Sequence, residues 1–522
     1  MQVKPLKEVR KRAVTPQYVS PNQLTICGFE TPFSQALSSE NRWVKLSNVI
    51  PWDKIVTQYD KQFKSNEGRP PISGRIVLGA VIIKHLLSLT DRETILQIEE
   101  NVFMQYFLGY ASFTNEAPFS PSLFVEIRER LSLAIVNSIS DIIVAHGFEL
   151  EQKSNPSPKE KNNDDTLSKI NKEVKTEAEK PVEVISSATE KISVPNQGRL
   201  LMDATVAPQN ITFPTDLKLL NEAREKSEQL IDKLYDPTLH GKTKVRTYRN
   251  IARKVFLNTA KKKSKTSKEI YKANGSQLRY LKRNLGHIND LKAVCVSKGL
   301  VIALKKRDEE YIAVMTIVYE QQNIMHQTKT KSIPNRIVNL HQRYVRPIVR
   351  GKEGKKVEFG SKLQVSLSNG YTFLDKLSWA NFNEGTCLMS SVENYQNRFG
   401  YYPAEVLADK IYCTRENRRR LKELQIELRA KPLGRPRKEA QSNLVSPGER
   451  NPIEGKFGQS KVGYGLDNIK AKLQTTSESW IASIILVVNL VNLTRLITFC
   501  LNFILMLFYT GIFGRKKWRL SF

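Results

Sequence analysis

The chain has 522 residues and carries 82 Lys and Arg against 52 Asp and Glu, a formal net charge of +30. At about 150 residues per domain, this length indicates roughly two to four domains. The hydrophobic fraction of 40% argues against a wholly disordered chain, a collagen-like chain or a polytopic membrane protein. The positive charge repels itself unless a polyanion neutralises it. This indicates nucleic acid as the partner, with an anionic membrane surface as the second choice.

The cysteines and the N-terminus favour a cytoplasmic protein. The five cysteines are scattered, none forms a Cys-x-x-Cys pair, and their number is odd. This pattern is typical of a reducing compartment and argues against a disulfide framework or a zinc module. Residues 1–14 are basic but lead into no apolar stretch, so we expect no signal peptide.

Residues 1–150 are predicted to form an N-terminal helical domain. Apolar residues recur every three or four positions between 76 and 87, which predicts one face of a helix. Thr90 opens a capping-box pattern that begins the next helix. A Ser-Pro pair at 120–121 begins a third helix, and Gly147 is a fitting stop for it.

A disordered, charged linker is predicted at 151–197. Between 151 and 193 the chain has eight Lys, nine Asp or Glu and no aromatic residue. Such a segment cannot bury enough apolar surface to offset its ordering entropy. An exposed charged helix is the alternative.

Residues 198–495 alternate strand-like and helical patterns, which predict an α/β fold with a sheet flanked by helices. The strands are expected from 199, at 209–213, within 355–376, at 404–409 and at 426–430. The helices are expected at 386–398, from 414, and from 449 to 473.

A basic helical insertion is predicted inside this domain, at about 216–330. Residues 242–283 hold fifteen Lys or Arg and one acid, with four aromatic residues interleaved. Three of these cations, Lys261, Lys262 and Lys263, are consecutive. We expect the segment to bind the DNA backbone without sequence preference, and a solvated basic face is the alternative.

Two acids stand at the ends of apolar runs. Asp203 follows Leu-Leu-Met, and Asp409 follows Val-Leu-Ala. An acid inside an apolar strand is costly unless something binds it, and the oxygen ligands of such acids suit Mg²⁺. The alternative is an ordinary strand-end or helix-capping Asp. The six histidines are isolated, and no phosphate-binding glycine motif follows a strand.

Three blocks in chain order resemble the acid signatures of DDE insertion-sequence transposases, in the branch called IS-five-like. The blocks are Asp203-Ala-Thr-Val with Pro208, Asp409-Lys-Ile-Tyr412 with Asn417-Arg418, and Arg450-x3-Glu454-x6-Lys461. The helical block with Gly68-Arg69-Pro70-Pro71 resembles the N-terminal domain of the same proteins, a domain for binding DNA ends or for dimerisation.

The resemblance implies an RNase H-like catalytic core and a homodimer that binds terminal inverted repeats and target DNA. Asp203 and Asp409 would bridge two Mg²⁺ or Mn²⁺ ions, and Glu454 would complete the site. Arg450 and Lys461 would hold DNA near the scissile phosphate; in a helix they share a face with Glu454. An activated water would cut the element's end, and the freed 3′-OH would attack target DNA.

The sequence departs from the family signature at two positions. Pro447 stands where the signature has Tyr, and Ile411 stands where the second block usually has Gly. These departures leave a decayed copy open as an alternative. Arg435 and Arg437, in Gly-Arg-Pro-Arg, resemble a minor-groove hook, with a plain basic turn as the alternative.

Two other classes of protein remain open at this stage. A non-catalytic DNA-binding protein shares the charge and needs no acid triad. A membrane-anchored protein would use the apolar run 496–513, which is just long enough to span a bilayer and precedes a basic tail ending at 522. A span would carry the basic body away from DNA. We therefore expect this run to pack against protein, in a cytoplasmic, nucleoid-associated chain without a membrane partner.

Overall fold

The computed structural model describes residues 36–63, 71–154, 195–302, 304–349, 357–431 and 448–513. Most of the predicted linker, Arg435, Arg437, Pro447 and the tail after 513 lie outside these ranges. The α-helices within them are α1 (Arg42–Val49), α2 (Trp52–Asp60), α3 (Gly74–Leu86), α4 (Asp91–Glu100), α5 (Val102–Leu108), α6 (Leu123–Arg130), α7 (Leu133–Ser154), α8 (Asp216–Leu234), α9 (Pro237–His240), α10 (Arg249–Ala260), α11 (Ser267–Ser297), α12 (Lys306–Thr328), α13 (Leu388–Phe399), α14 (Arg415–Glu423), α15 (Asn451–Gly458) and α16 (Gln474–Phe513). The strands are β1 (Arg199–Pro208), β2 (Arg346–Val349), β3 (Val357–Ser368), β4 (Tyr371–Ser378), β5 (Glu405–Leu407) and β6 (Glu427–Arg429).

Helices α1 to α7 form the N-terminal part around one apolar core. Thr90 caps α4 as its pattern predicts, because its Oγ accepts a hydrogen bond of 3.2 Å from the Glu93 amide. The prediction of one helix from 120 to 147 is wrong. The chain breaks between α6 and α7 at Leu131 and Ser132, and α7 then continues past Gly147 to residue 154.

Gly147 has a packing role in place of the predicted terminating one. A Cβ at this position would lie 2.0 Å from the hydroxyl oxygen of Tyr371 on β4. The missing side chain therefore lets α7 approach the sheet closely.

The sheet is mixed, and β1 lies inside it. Its order is β2-β3-β1-β5-β6, and β4 pairs with β3 beside β2. Strand β1 runs antiparallel to β3 and parallel to β5, and β5 runs parallel to β6. The predicted α/β class is thus observed, but the predicted strand at 209–213 is wrong. Gln209 forms only an isolated bridge with Ile469, and its side-chain amide donates to the Ala471 carbonyl.

The predicted helical insertion corresponds to α8–α12, which follow β1 and precede β2. Its helices pack around their own apolar core, which includes Leu220, Ile231, Leu281, Ile288 and Met315. The insertion therefore buries an apolar core of its own beside the sheet.

Helix α16 joins the N-terminal part to the sheet. One of its faces places Ala482, Leu486, Leu490 and Leu493 in the N-terminal core, and another packs against the core beside β3. The buried side chain of Asn489 exchanges hydrogen bonds of 2.8 Å with the backbone of Thr372 on β4.

Two described helices, Leu133–Glu151 and Gln474–Arg495, are long and apolar enough to cross a membrane. The protein itself buries 78% of the apolar window of the second. The apolar run 496–513 continues that same helix, so the predicted boundary at 495/496 falls inside α16.

Candidate active site

A cleft of about 530 Å³ lies over the middle of β1, beyond the C-terminal end of β5, and contains every acid that the sequence proposes as catalytic. Its walls include Asp203, Asp409, Glu454, Arg450 and Lys461. The structure thus brings together five residues from three separate sequence blocks.

The strand register explains how the two aspartates meet. In the parallel pair of β1 and β5, Leu201 lies opposite Leu407, and each aspartate stands two residues further on. Because side chains alternate along an extended chain, both aspartates leave the sheet on the side of these leucines. Ile453 of α15 packs on the same leucines, which places this helix over the acids.

Asp203 is the more enclosed of the two acids, with 20% of its side chain exposed. One carboxylate oxygen accepts a 2.8 Å hydrogen bond from the Ala204 amide. Burial raises the pKa of Asp203 above its usual range, although this hydrogen bond and the Arg450 guanidinium act in the opposite direction. The negative charges of Glu384 and Asp409 act with burial.

Asp409 is both a cap and a cleft residue. It precedes a short 3-10 turn at Lys410–Tyr412, and its carboxylate accepts a 2.7 Å hydrogen bond from the Lys410 amide. Half of its side chain is exposed. Asp409 therefore caps this turn, which was the alternative to a catalytic role, and its side chain also lines the cleft.

Arg450 lies between the two aspartates. Its guanidinium is 3.1 Å from a carboxylate oxygen of Asp203 and 3.8 Å from one of Asp409. Its Nε is buried and makes no hydrogen bond within the described ranges. A single cation thus neutralises part of the charge of both acids.

The third block does not form the uninterrupted helix expected to 473. Helix α15 carries Glu454, a π-helical turn at Gln459–Gly463 carries Lys461, and the helix then ends near Gly465, whose φ is 71°. Since a π-turn changes the residue spacing, Glu454 and Lys461 do not keep the predicted α-helical offset. Both nevertheless line the cleft.

The place between Asp203 and Asp409 suits a cation, since their oxygens already hold a guanidinium there. Carboxylate oxygens are also ligands that Mg²⁺ and Mn²⁺ accept. Among the residues that the structure describes, however, no three His, Cys, Asp or Glu side chains form a group that could hold a metal ion.

Two further residues of the cleft were missed from the sequence. Lys362 on β3 is buried, and its ammonium lies 2.9 Å from a Glu384 carboxylate oxygen and donates a 2.8 Å hydrogen bond to the Phe382 carbonyl. It thereby ties the loop that carries Glu384 to the sheet. Lys362 stands at a polar position of an alternating strand pattern, so its sequence context does not mark it, and Glu384 stands in no pattern that marks it either.

The other predicted DNA contacts are dispersed. Lys261, Lys262 and Lys263 are exposed at the end of α10, and Lys262 forms a 2.5 Å ion pair with Glu269. They do not line the cleft.

Comparison with known families gives two matches. The family model described as "Transposase DDE domain" matches residues 406–491. The family model described as "Transposase domain (DUF772)" matches residues 31–130. The first match contains Asp409, Arg450, Glu454 and Lys461, whereas Asp203 lies outside both.

One curated protein and the solved structures complete the comparison. The "Uncharacterized protein ORF8 in nfe locus" of Rhizobium meliloti is 32% identical over 88 residues, which are 17% of this chain and 42% of that protein. No solved structure matches the chain. The chain is thus similar to transposase domains over two separate stretches, residues 31–130 and 406–491. The resemblance to insertion-sequence transposases predicted from the motifs is confirmed by the two family matches.

Proposed function

We propose that this chain is a DDE transposase that cuts DNA at the ends of an insertion sequence and joins them to target DNA. The observation that carries the proposal is the cleft whose walls include Asp203, Asp409 and Glu454, with one arginine between the two aspartates. The family match over the second and third acids supports the same conclusion independently.

The fold component of the proposal is an RNase H-like catalytic core. The sheet order supports it, because the strand bearing the first acid has an antiparallel neighbour on one side and a parallel neighbour on the other. The second acid then follows the parallel neighbour, and the third lies on a helix that covers both.

The residues of the cleft receive the following roles. Asp203 and Asp409 would hold Mg²⁺ or Mn²⁺, with Glu454 completing a site for two ions. When bound, such ions activate the attacking oxygen and stabilise the leaving oxygen of phosphodiester transfer. Arg450 and Lys461 would bind the phosphates beside the scissile bond, because their positive charge attracts the negative charge of the DNA.

The partners in this proposal are the inverted repeats of the element and target DNA, bound by a homodimer in the cytoplasm, at the nucleoid. The net charge of +30 supports a DNA partner. The basic segment 242–283 would bind the DNA backbone, outside the cleft.

The test is a strand-transfer assay with purified protein, end-containing duplexes and Mg²⁺ or Mn²⁺. We expect Asp203→Asn, Asp409→Asn and Glu454→Gln each to abolish cleavage and joining while duplex binding is retained. Glu393→Gln on α13 is the matched control, because this exposed acid lies outside the cleft. Full activity of any one of the three variants would overturn the triad. Binding without strand transfer by the unaltered protein would favour a non-catalytic DNA-binding protein.

A further inference from the structure

Besides the active-site cleft, a groove of about 690 Å³ lies where α12 of the insertion meets the segment before β2 and the start of α16. Three segments line it: the first turns of α12, the stretch from Leu340 to Tyr344 before β2, and the start of α16 with the two residues that precede it, Lys472 and Leu473. None of its residues belongs to the acidic cleft or to the basic segment 242–283.

The walls of this groove carry a concentrated positive charge. Lys306, Arg307, Arg343 and Lys472 contribute four cations, and Glu310 contributes the one carboxylate among its lining residues, which leaves a net charge of +3. Cations that share one groove repel each other, and low-dielectric walls strengthen their field. Such a surface gains free energy when an anion enters it.

The charge in the groove is available to a ligand. The side chains of Lys306, Arg343 and Lys472 are exposed and form no hydrogen bond or ion pair with any residue that the structure describes. In the basic segment, by contrast, Lys244 and Arg249 share Asp232, and Lys262 pairs with Glu269.

Aromatic and polar groups complete the walls. The Tyr311 hydroxyl lies 2.8 Å from the His341 ring and accepts a hydrogen bond of 3.4 Å from Arg307. Leu340 and Tyr344 add apolar surface. This mixture of cations, hydrogen-bonding groups and apolar surface suits a sugar-phosphate backbone.

The groove and the active-site cleft lie on neighbouring parts of one short segment. Arg343 lines the groove, and Ile348, five residues further along the chain, lines the cleft. Five extended residues span at most about 17 Å. That is the length of about five phosphates of one DNA strand, at roughly 3.4 Å each.

We propose that this groove binds the phosphate backbone of duplex DNA next to the segment held in the active-site cleft. This inference rests on the proposed function only in taking DNA as the substrate. It adds a second anchoring surface, so that the insertion and the catalytic part hold the same duplex together.

The experiment measures the affinity of the full chain for a duplex of arbitrary sequence over a series of salt concentrations. The test variant combines Lys306→Gln, Arg343→Gln and Lys472→Gln. The control combines Arg419→Gln, Arg420→Gln and Lys422→Gln, which remove equal charge from α14, beside β6 at the opposite edge of the sheet. Each lost phosphate contact reduces the slope of log affinity against log salt by about 0.9, so we expect a reduction of about 2.7 for three contacts.

If the slope of log affinity against log salt falls no more in the test variant than in the α14 control, the groove does not bind the DNA backbone. A second measurement uses the unaltered protein, so it does not depend on the variant folding. We expect DNA to protect Lys306 and Lys472 from acetylation, followed by mass spectrometry, and to leave Lys422 reactive. Equal acetylation of all three lysines with and without DNA would also overturn the groove. A normal result for the groove with no strand transfer would instead count against the proposed function alone.

Discussion

The Arg450 guanidinium lies 3.1 Å from a carboxylate oxygen of Asp203, a residue from a sequence block almost 250 positions earlier. The same guanidinium reaches Asp409 at 3.8 Å. In the proposed function the same two acids would hold a divalent ion. We therefore expect such an ion and the guanidinium to compete for them.

The first prediction concerns Arg450→Gln. We expect this variant to lose about 1–3 kcal/mol of unfolding free energy without divalent ions, because two acids lose the cation with which they form ion pairs. We expect MnCl₂ to stabilise it more than it stabilises the unaltered protein, since the ion no longer displaces an arginine. Urea denaturation with and without MnCl₂ measures both effects.

The matched control for this prediction is Arg429→Gln. Arg429 pairs with Glu405 at 3.1 Å and with Glu449 at 2.8 Å, and it does not line the cleft. Its loss is expected to destabilise the protein equally with and without MnCl₂. If the two variants respond identically to MnCl₂, Arg450 does not compete with the ion.

The second prediction concerns the pH dependence of stability. Burial raises the pKa of Asp375, which faces Arg398 at 3.4 Å. The folded protein then binds this proton more tightly than the unfolded chain, so Asp375 reduces stability as pH rises from about 4 through its folded pKa. We expect Asp375→Asn to become increasingly more stable than the unaltered protein over that range. Arg398 keeps its second partner, Asp141, at 3.2 Å.

Asp232→Asn supplies a comparison of opposite sign. The hydrogen bonds from Arg249 lower the pKa of Asp232, so this acid stabilises the fold above about pH 4, and the effect disappears as pH falls through its folded pKa. Denaturation of both variants between pH 3 and 8 checks the two signs. A difference for Asp375→Asn that is constant with pH would contradict the assignment.

The third prediction concerns Gly147→Ala. The added methyl group would meet the Tyr371 hydroxyl at 2.0 Å, so α7 must move away from β4. We expect a loss of about 1–3 kcal/mol of unfolding free energy. Gly286→Ala in α11 is the control: its Cβ meets nothing within 4 Å, and alanine should stabilise that helix by about 1 kcal/mol. Equal effects of the two changes on the melting temperature would show that Gly147 is not a packing position.

The fourth prediction concerns the basic segment. Lys262 already pairs with Glu269, whose pKa is lowered to about 2, first by its hydrogen bond with Lys262. We expect Lys261→Glu with Lys263→Glu to flatten the salt dependence of DNA binding. Glu269→Gln should steepen it, because it releases Lys262 for a phosphate. Filter-binding titrations over a salt series measure the slopes, and unchanged slopes in both would mark a solvated basic face.

The sequence indicated two of the acids that line the cleft, because each of the two carries a local signal. Asp203 and Asp409 end apolar strand-like runs, and the structure places both at one end of a parallel pair. The family signature supplied Arg450 and Glu454. The α-helix that its spacing predicts is wrong beyond residue 458, because a π-turn forms there.

The features that the sequence did not predict depend on distant partners. From the sequence, Gly147 is predicted to end a helix. Its actual role depends on close packing against Tyr371, which is more than 200 residues further along the chain. Glu384 lines the cleft and forms an ion pair with Lys362 on β3, a residue 22 positions earlier in the chain. Local periodicity carries no information about such pairs, so sequence analysis alone cannot place them.

The dual packing of α16 has a consequence for how this protein is made on the ribosome. The N-terminal core includes Leu486, Leu490 and Leu493, which are synthesised more than 300 residues after α7 ends. The nascent N-terminal helices must therefore wait with an uncovered apolar face for nearly the whole period of synthesis, a state that favours aggregation or chaperone capture. A frameshift or early stop codon before this helix would therefore remove part of the N-terminal core. We expect such a change near the 3′ end of the gene to destabilise the packing of α1–α7 as well as that of the sheet.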